Sequence, residues 1–248
     1  MMFPYPRRKE LNVILFTSIF STDKSLTEIT LKMSFILRTL TIFRVSKLFW
    51  IDDLRNKYIK RVIIDIINYA LKPPYLKKEI KIRKTLSKVG LLNPINIPSH
   101  IVEKEAIEGE YRIGSKGFFG LESKINTKSN VILIVNSNPV RIKEYNFYPY
   151  YNGFKFYFLN KNNILGKFEN LLIASRSGKD PIKYSSEIKD MYEKKGITLI
   201  IGPPSGGLLK QLSDYIHVYN FLPNQGVKDI RVEEALISSL SILNFILG

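Results

Sequence analysis

Cysteine is absent from this chain of 248 residues, and histidine occurs only twice. Without thiols the protein can form neither disulfides nor thiolate metal sites, and no cysteine can act as a nucleophile. His100 and His217 are also too few for a metal centre built from imidazoles. We therefore expect no bound metal and no thiol chemistry.

Long uncharged hydrophobic runs are missing as well. The most apolar stretch, residues 35–51, is interrupted by Arg38, Arg44 and Lys47, whereas a membrane span needs about 20 mostly uncharged residues. The first ten residues carry charge without a long apolar core behind them, which is not the pattern of a signal peptide. These patterns predict a cytoplasmic protein with no membrane partner.

Acidic residues are few relative to basic ones: 22 against 38, a net charge of +16. Residues 1–163 contain 28 basic and 13 acidic side chains and so carry +15, whereas residues 164–248 contain 10 and 9. A field of this sign and distribution predicts a polyanionic partner such as RNA for the first two thirds of the chain. A generally lysine-rich composition is the alternative explanation.

Hydrophobic periodicity predicts alternating strands and helices at both ends of the chain. Residues 11–20 and 45–51 have the pattern of buried strands, and residues 25–43 and 56–71 have helical spacing. The alternation resumes with strand 171–174, helix 184–194, strands 198–201 and 215–222, and helix 232–247. This order predicts an α/β domain with parallel strands.

Residues 75–163 have a different character. Short β-like runs at 101–103, 131–135, 141–145 and 154–159 are separated by glycines, and no long amphipathic helix is evident. We predict a small β-barrel inserted into the α/β domain. The α/β domain then comprises residues 1–74 and 164–248, and the insert comprises residues 75–163.

Two loops near the C-terminus each follow an apolar run. They are residues 200–208 (I-I-G-P-P-S-G-G-L) and 221–226 (F-L-P-N-Q-G). Gly226 has no side chain and can take positive φ, so this turn can bring bare backbone against a ligand. Two such loops predict a pocket walled mainly by backbone and suited to an adenosine-like ligand. The fingerprint G-x-G-x-x-G is absent after the first strand, which disfavours an ordinary Rossmann site.

Four segments resemble the SPOUT superfamily of RNA methyltransferases: 38–43 (R-T-L-T-I-F), 91–99 (L-L-N-P-I-N-I-P-S), 175–178 (S-R-S-G) and 225–235. The likeness is to the archaeal and eukaryotic branch of uridine-N3 rRNA methyltransferases, which includes a human centromere-associated protein. This resemblance implies a parallel sheet with a C-terminal trefoil knot, an OB-like fold for the insert, and S-adenosyl-L-methionine as cofactor.

The resemblance also implies which loops hold the cofactor. The expected cofactor-binding residues are Ser175, Arg176, Gly178, Gly202, Pro203, Gly206, Leu208, Leu222, Asn224, Gln225, Gly226, Ile230 and Ala235. Enzymes of this family usually build each active site at a two-fold interface, so we expect a homodimer. The C-terminal helix is apolar enough for such an interface through Ala235, Leu236, Leu240, Leu243 and Ile246.

Because a methyl donor carries its own electrophile, the enzyme must mainly place donor and acceptor and stabilise the anion that develops on uridine N3. Arg38, with its R-x-x-x-x-F spacing to Phe43, resembles a substrate-facing arginine of the family, although Lys32 stands where the family often has asparagine. The alternative is an exposed arginine on an amphipathic helix. Arg231 is placed to meet RNA phosphate or the methionine carboxylate. Glu233 is a catalytic alternative to simple stabilisation of the helix N-terminus.

Basic and aromatic residues are interleaved in the insert. The expected RNA-binding residues are Lys77, Lys78, Lys81, Lys84, Tyr148 and Tyr150. Stacking of a base on an aromatic ring is worth about 1–3 kcal/mol. A barrel also needs alternate aromatics for its core, so we expect fewer than half of the aromatic side chains to contact RNA.

The sequence therefore predicts an S-adenosylmethionine-dependent RNA methyltransferase that acts on rRNA at uridine N3. Pyrimidine C5 methylation usually needs a cysteine, which this chain lacks. A ribose 2′-hydroxyl acceptor remains an alternative, as does an RNA-binding ribosome assembly factor without turnover.

Overall fold

A computed structural model describes residues 3–159, 168–203 and 217–248. Its main feature is a six-stranded sheet whose neighbouring strands are all parallel. In spatial order the strands are β6 (Lys155–Leu159), β2 (Lys47–Ile51), β1 (Leu11–Phe16), β8 (Ile197–Ile201), β7 (Leu171–Lys179) and β9 (Val218–Tyr219). This mixed α/β architecture is consistent with a SPOUT-like fold.

Helices cover one face of this sheet. The described helices are α1 (Leu26–Ile42), α2 (Lys57–Leu71), α3 (Ser185–Lys195) and α4 (Val232–Leu247). The connections β1 to β2, β2 to β6 and β7 to β8 step across the sheet in the same direction, so right-handed crossovers place α1, α2 and α3 on one face. Buried side chains of all four helices accordingly share one core cluster.

Local sequence explains where these elements begin and end. All six residues of β1 are buried, as expected for a central strand of a parallel sheet. The Ser25 hydroxyl accepts a hydrogen bond from the Glu28 amide at 3.2 Å and caps α1. Asn56 caps α2 through the amides of Tyr58 and Ile59.

Because all strands are parallel, their carboxyl ends lie along one edge of the sheet and their amino ends along the opposite edge. The carboxyl ends of its strands lead into residues 17–24, 52–55, 202–203 and 220–231, which we call the loop edge. Helices α1, α2 and α4 begin at the loop edge and end at the opposite edge, where the Arg7 guanidinium donates to the Phe43 carbonyl and to the Asn244 side chain. We call that edge the insert edge, because the chain enters the insert after the last turn of α2.

The insert contains a three-stranded antiparallel sheet formed by β3 (Tyr111–Ile113), β4 (Val131–Ser137) and β5 (Val140–Tyr145). Its core contains the fully buried Arg112, which pairs with Glu110 at 2.7 Å and donates to the carbonyls of Glu103 and Glu105. These bonds satisfy a buried charge that would otherwise be costly. Short 3-10 turns lead into this sheet at Pro74–Glu79, Lys84–Leu86, Val89–Leu91 and Pro98–His100.

Several predicted elements are corrected by the structure. The predicted strand 11–20 ends at Phe16, and Thr17–Phe20 is a 3-10 turn. Residues 217–222 of the predicted strand 215–222 are described, and Val218–Tyr219 form the strand β9 among them. Within residues 75–154, all of which are described, β3, β4 and β5 form one open antiparallel sheet and not a closed barrel. Residues 155–159 pair with β2 instead of with the insert strands, because both faces of this strand find apolar partners there. Phe156 and Phe158 pack against the main core cluster, and Tyr157 stacks on Phe49.

No helix in the described ranges has the length and hydropathy required to cross a membrane.

Candidate active site

The loop edge contains a topological switch point between β1 and β8. From β1 the chain crosses to β2 on one side, whereas β8 leads toward β9 on the other side. In open parallel sheets, ligands bind in the crevice outside the carboxyl ends of strands at such a point. Thr17 and Ser18 follow β1 there, and Gly202 and Pro203 follow β8. Topology thus points independently to the edge that carries the predicted cofactor loops.

Side-chain hydrogen bonds join the end of β7 to the loop after β9. The Arg176 guanidinium donates to the Lys228 carbonyl. The Gln225 amide donates to the carbonyls of Val227 and Lys228, at 2.8 and 3.0 Å. Arg176 and Gln225 are both predicted cofactor residues, and here their side chains brace the loop through its Val227 and Lys228 carbonyls.

Asn220 is a residue at this junction that sequence reasoning missed. Its side-chain amide donates to the Arg176 carbonyl at 3.0 Å, and its carbonyl oxygen accepts from the Leu222 amide at 3.0 Å. The available signal was a polar residue directly after an apolar strand. Asn220 orients the start of the predicted cofactor loop.

Gly178 allows the two strands to approach closely. A Cβ placed on Gly178 would lie 2.4 Å from the backbone carbon of Tyr219, a separation that no side chain tolerates. Ser175 and Ser177 lie beside it, with their hydroxyl oxygens 3.2 Å apart. The predicted cofactor residue Gly178 therefore has a structural role in positioning the site.

We expect Gly178→Ala to lower stability because the backbone of Tyr219 cannot yield as a flexible side chain would. Overpacking of this kind costs about 1–3 kcal/mol. Thermal unfolding measures the effect, and Gly90→Ala is the matched control because a Cβ at Gly90 meets nothing within 4 Å. Equal melting temperatures for the two variants would contradict the close approach.

In the turn before α4 the residue with left-handed backbone conformation is Asn224, whereas the sequence suggested Gly226. Asn224 has φ 56°, whereas Gly226 is not among the residues with positive φ. Asparagine tolerates this region because its short side chain can bond to nearby backbone. A Cβ at Gly226 would meet no protein atom within 4 Å, so its surface opens toward space that a ligand can fill.

The charged residues at the start of α4 have different contacts and exposures. The Arg231 amide donates to the Glu234 carboxylate at 2.7 Å, so Glu234 caps the helix. The Arg231 side chain is exposed and Glu233 is half-buried.

The apolar predicted cofactor residues lie around the same loop. Ala235 lies in the first turn of the helix, where its amide donates to the Arg231 carbonyl at 2.9 Å. Leu222 and Ile230, at the two ends of the loop, are half-buried.

A carboxylate network at the ends of β1 and β2 was also missed. Asp53 accepts hydrogen bonds from the Thr17 hydroxyl at 3.1 Å and from the Ser18 amide at 2.9 Å. The Leu54 amide donates to the Thr17 hydroxyl at 3.1 Å. The network fixes the loop after β1 beside the switch point. Its sequence signal was the pair of aspartates directly after a buried strand.

Arg38 does not join this edge. It lies 12 residues beyond the first residue of α1, a distance of about 18 Å along the helix axis. Its guanidinium donates to the Pro94 carbonyl, and the nearby Ser34 hydroxyl accepts from the Asn93 amide at 2.8 Å. Within one chain Arg38 therefore lies away from the loop edge, because the last turns of α1 face the insert. Its substrate-facing role stays a prediction.

Two of the predicted RNA-binding lysines are exposed, and the other two pack their ammonium groups against aromatic rings. Lys81 and Lys84 are exposed. Lys77 packs its ammonium 4.5 Å from the ring centroid of Tyr69, and burial lowers the pKa of Lys77. Lys78 lies over the Phe118 ring.

The two predicted RNA-binding tyrosines are both half-buried. Burial raises the pKa of Tyr148. Tyr150 lies at the centre of an aromatic cluster. Their rings therefore serve first as packing for that cluster.

Two predicted cofactor residues, Gly206 and Leu208, lie outside the described residues. Among the ranges that the structure describes, no group of three or more His, Asp or Glu side chains could hold a metal ion.

The chain is similar to a known protein family and to two archaeal proteins. A family model described as "Putative RNA methyltransferase" matches residues 10–146. An uncharacterized protein of Haloarcula marismortui is 24% identical, over 94% of this chain and 98% of that protein. An uncharacterized protein of Halobacterium salinarum is 21% identical over the same shares.

One solved structure, titled "Crystal structure of an hypothetical protein", gives a TM-score of 0.45 at 10% identity, covering 98% of this chain and 69% of that one. A TM-score of this size supports no argument about the fold. The family model shows to which family the chain belongs, because the match spans more than half of the chain and includes β1, α1 and the three-stranded sheet. The chain belongs to this family of RNA methyltransferases.

Proposed function

We propose that the protein is an S-adenosylmethionine-dependent methyltransferase that acts on rRNA at uridine N3. The observation that carries the proposal is the convergence of two loops at the switch-point edge, where Arg176 at the end of β7 bonds the Lys228 carbonyl after β9. Membership of an RNA methyltransferase family supplies the reaction class. The basic first two thirds of the chain support an RNA substrate.

The loop edge fits an adenosine-like cofactor in its chemistry. Gln225 braces the loop of residues 222–230 through the Val227 and Lys228 carbonyls, and open space at Gly226 allows close approach of a ligand. We assign cofactor contacts to this loop, to Ser175 and to Gly202. When bound, S-adenosylmethionine supplies an electrophilic methyl group.

Arg231 and Glu233, at the junction of the loop and α4, have the proposed roles in methyl transfer. Arg231 is exposed beside the loop and carries a fixed positive charge, which suits a phosphate or a carboxylate. Uridine N3 is weakly acidic, so a cation that stabilises its anion accelerates transfer. Glu233 lies in the first turn of α4 and does not cap the helix, since Glu234 has that function. We propose Arg231 for charge stabilisation and Glu233 for proton removal.

We further propose a trefoil knot in the C-terminal part, an OB-like fold for the insert, and division of the chain into 1–74 with 164–248 and an insert of 75–163. Support comes from the parallel strand order and from the separate antiparallel sheet. The pairing of β6 with β2 moves the structural end of the insert to about residue 154.

A transfer assay tests the proposed function. The purified protein is incubated with radiolabelled S-adenosylmethionine and archaeal rRNA that lacks the modification, and the digested nucleosides are identified by mass spectrometry. We expect label in 3-methyluridine. Label in a 2′-O-methylated nucleoside would overturn the choice of acceptor atom. Binding of both ligands without transfer would overturn the enzymatic proposal in favour of an assembly factor.

We also propose a homodimer, but through other residues than the sequence suggested. Leu236, Leu240, Leu243 and Ile246 are buried in the core of the chain and cannot form an interface. Exposed apolar side chains instead lie on the adjacent helices α1 and α4. They are Leu31, Phe35 and Ile42 on α1 and Phe245 on α4, which is 80% exposed. Exposed apolar side chains on two adjacent helices support an interface there.

Phe245→Asp is therefore expected to convert the dimer to a monomer at micromolar concentration, because a charge would have to be buried at the interface. Light scattering coupled to size exclusion measures the mass. Ile82→Asp is the control, since Ile82 is fully exposed in the insert and away from both helices. A wild-type protein that is monomeric and still transfers methyl groups would refute the dimer.

A further inference from the structure

Seven aromatic rings cluster where the N-terminal segment crosses the insert sheet. They are Phe3, Tyr5, Tyr111, Tyr145, Phe147, Tyr148 and Tyr150, and we call them the ring patch. Tyr150 lies at the centre, with its ring centroid 5.6 Å from that of Tyr5 and 5.9 Å from that of Tyr111. Tyr111 meets Tyr145 at 77° and Tyr150 at 86°. This edge-to-face packing leaves ring faces at the rim of the patch without a partner.

Two rim rings are exposed to solvent although large aromatics usually are not. Tyr5 is 61% exposed and Phe147 is 65% exposed. Hydrogen bonds hold the backbone beside Tyr5: the Tyr151 amide donates to the Pro4 carbonyl at 2.8 Å, and the Arg44 guanidinium donates to the Tyr5 carbonyl at 3.3 Å. Phe147 lies just after β5, and its ring packs edge-on against that of Tyr145. The patch is thus a preformed aromatic surface.

The charge around these rings is positive. Lys143 shares a sheet face with Tyr145, and its ammonium lies 5.6 Å from the centroid of that ring. Glu144 lies on the opposite face, since side chains alternate along a strand. The nearest other carboxylate, Glu110, is paired with Arg112 at 2.7 Å. A polyanion with flat apolar faces complements this surface.

We propose that the ring patch is a stacking platform for unpaired RNA nucleotides. Every nucleobase has a π-face that can stack on Tyr5 or Phe147, but the bases inside a duplex already stack on each other. The inference rests on the proposed function and deepens it, because it names the substrate as RNA with unpaired nucleotides. The patch lies at the insert edge, about 20 Å from the loop edge across the strands, and so acts in docking and not in transfer.

Fluorescence anisotropy with a labelled single-stranded oligouridylate tests the platform on the full chain. We expect Phe147→Leu and Tyr5→Leu each to weaken binding by about 5- to 150-fold. The salt dependence should not change, because no phosphate contact is lost. Phe147→Trp should keep wild-type affinity, since it keeps a ring. Tyr58→Leu is the control, an equally exposed tyrosine on α2 outside the patch.

The same variants are measured with a blunt RNA duplex and with S-adenosylmethionine. Unchanged affinity of Phe147→Leu and Tyr5→Leu for the oligouridylate would overturn the proposal, and so would an equal loss for the duplex. Normal melting temperatures exclude unfolding as the cause of a loss. Because this assay needs no methyl donor, the platform can stand if the transfer assay fails, and the transfer assay can succeed if the platform fails.

Discussion

Gly226→Val is expected to abolish binding of S-adenosylmethionine while the fold remains intact. A Cβ at this position meets no protein atom within 4 Å, and the residue does not have positive φ, so the chain itself tolerates valine. The branched side chain would instead occupy the space we assign to the cofactor. We expect affinity to fall by about 100-fold or more, equivalent to about 2.7 kcal/mol.

Isothermal titration calorimetry with S-adenosylmethionine measures this effect, and thermal unfolding verifies the fold. Gly90→Val is the matched control, because Gly90 also faces open space and lies in the insert, remote from the loop edge. The assignment of the pocket fails if Gly226→Val binds with wild-type affinity or if Gly90→Val loses as much.

Neutralising the exposed lysines of the insert should weaken RNA binding and reduce its salt dependence. The triple variant changes Lys81, Lys84 and Lys88 to glutamine, and omits Lys77 because its ammonium already packs on an aromatic ring. Each lost phosphate contact lowers the slope of log affinity against log salt by about 0.7 to 0.9. We expect a total change of about 2, and an affinity loss on the order of 10²- to 10³-fold at about 50 mM salt.

The control removes the same charge from the nearly neutral end of the chain. Lys183, Lys189 and Lys194 are exposed on or beside α3, and changing them to glutamine lowers the net charge equally. Binding is titrated over a range of salt for both triple variants, and binding of S-adenosylmethionine should survive in both. If the two variants have the same slope, the protein responds only to its overall charge and the insert is not the RNA-docking surface.

Arg38 shows what a local pattern can and cannot predict. The apolar positions of residues 25–43 predicted a helix, and the structure confirms α1 over Leu26–Ile42. Helical spacing does not say which neighbour a polar side chain will meet. That depends on the insert, whose Pro94 carbonyl accepts the bond from Arg38.

The sequence by itself determined the alternation of strands and helices, the backbone-rich loops and the charge asymmetry, because periodicity, glycine content and charge are local properties of the chain. Tertiary structure alone decided that residues 155–159 pair with β2, that the leucines of α4 fill the core, and that Phe147 and Phe245 remain exposed. A side chain's hydrophobicity sets the free energy that burial would yield, but only the packing of segments distant in sequence determines whether it is buried.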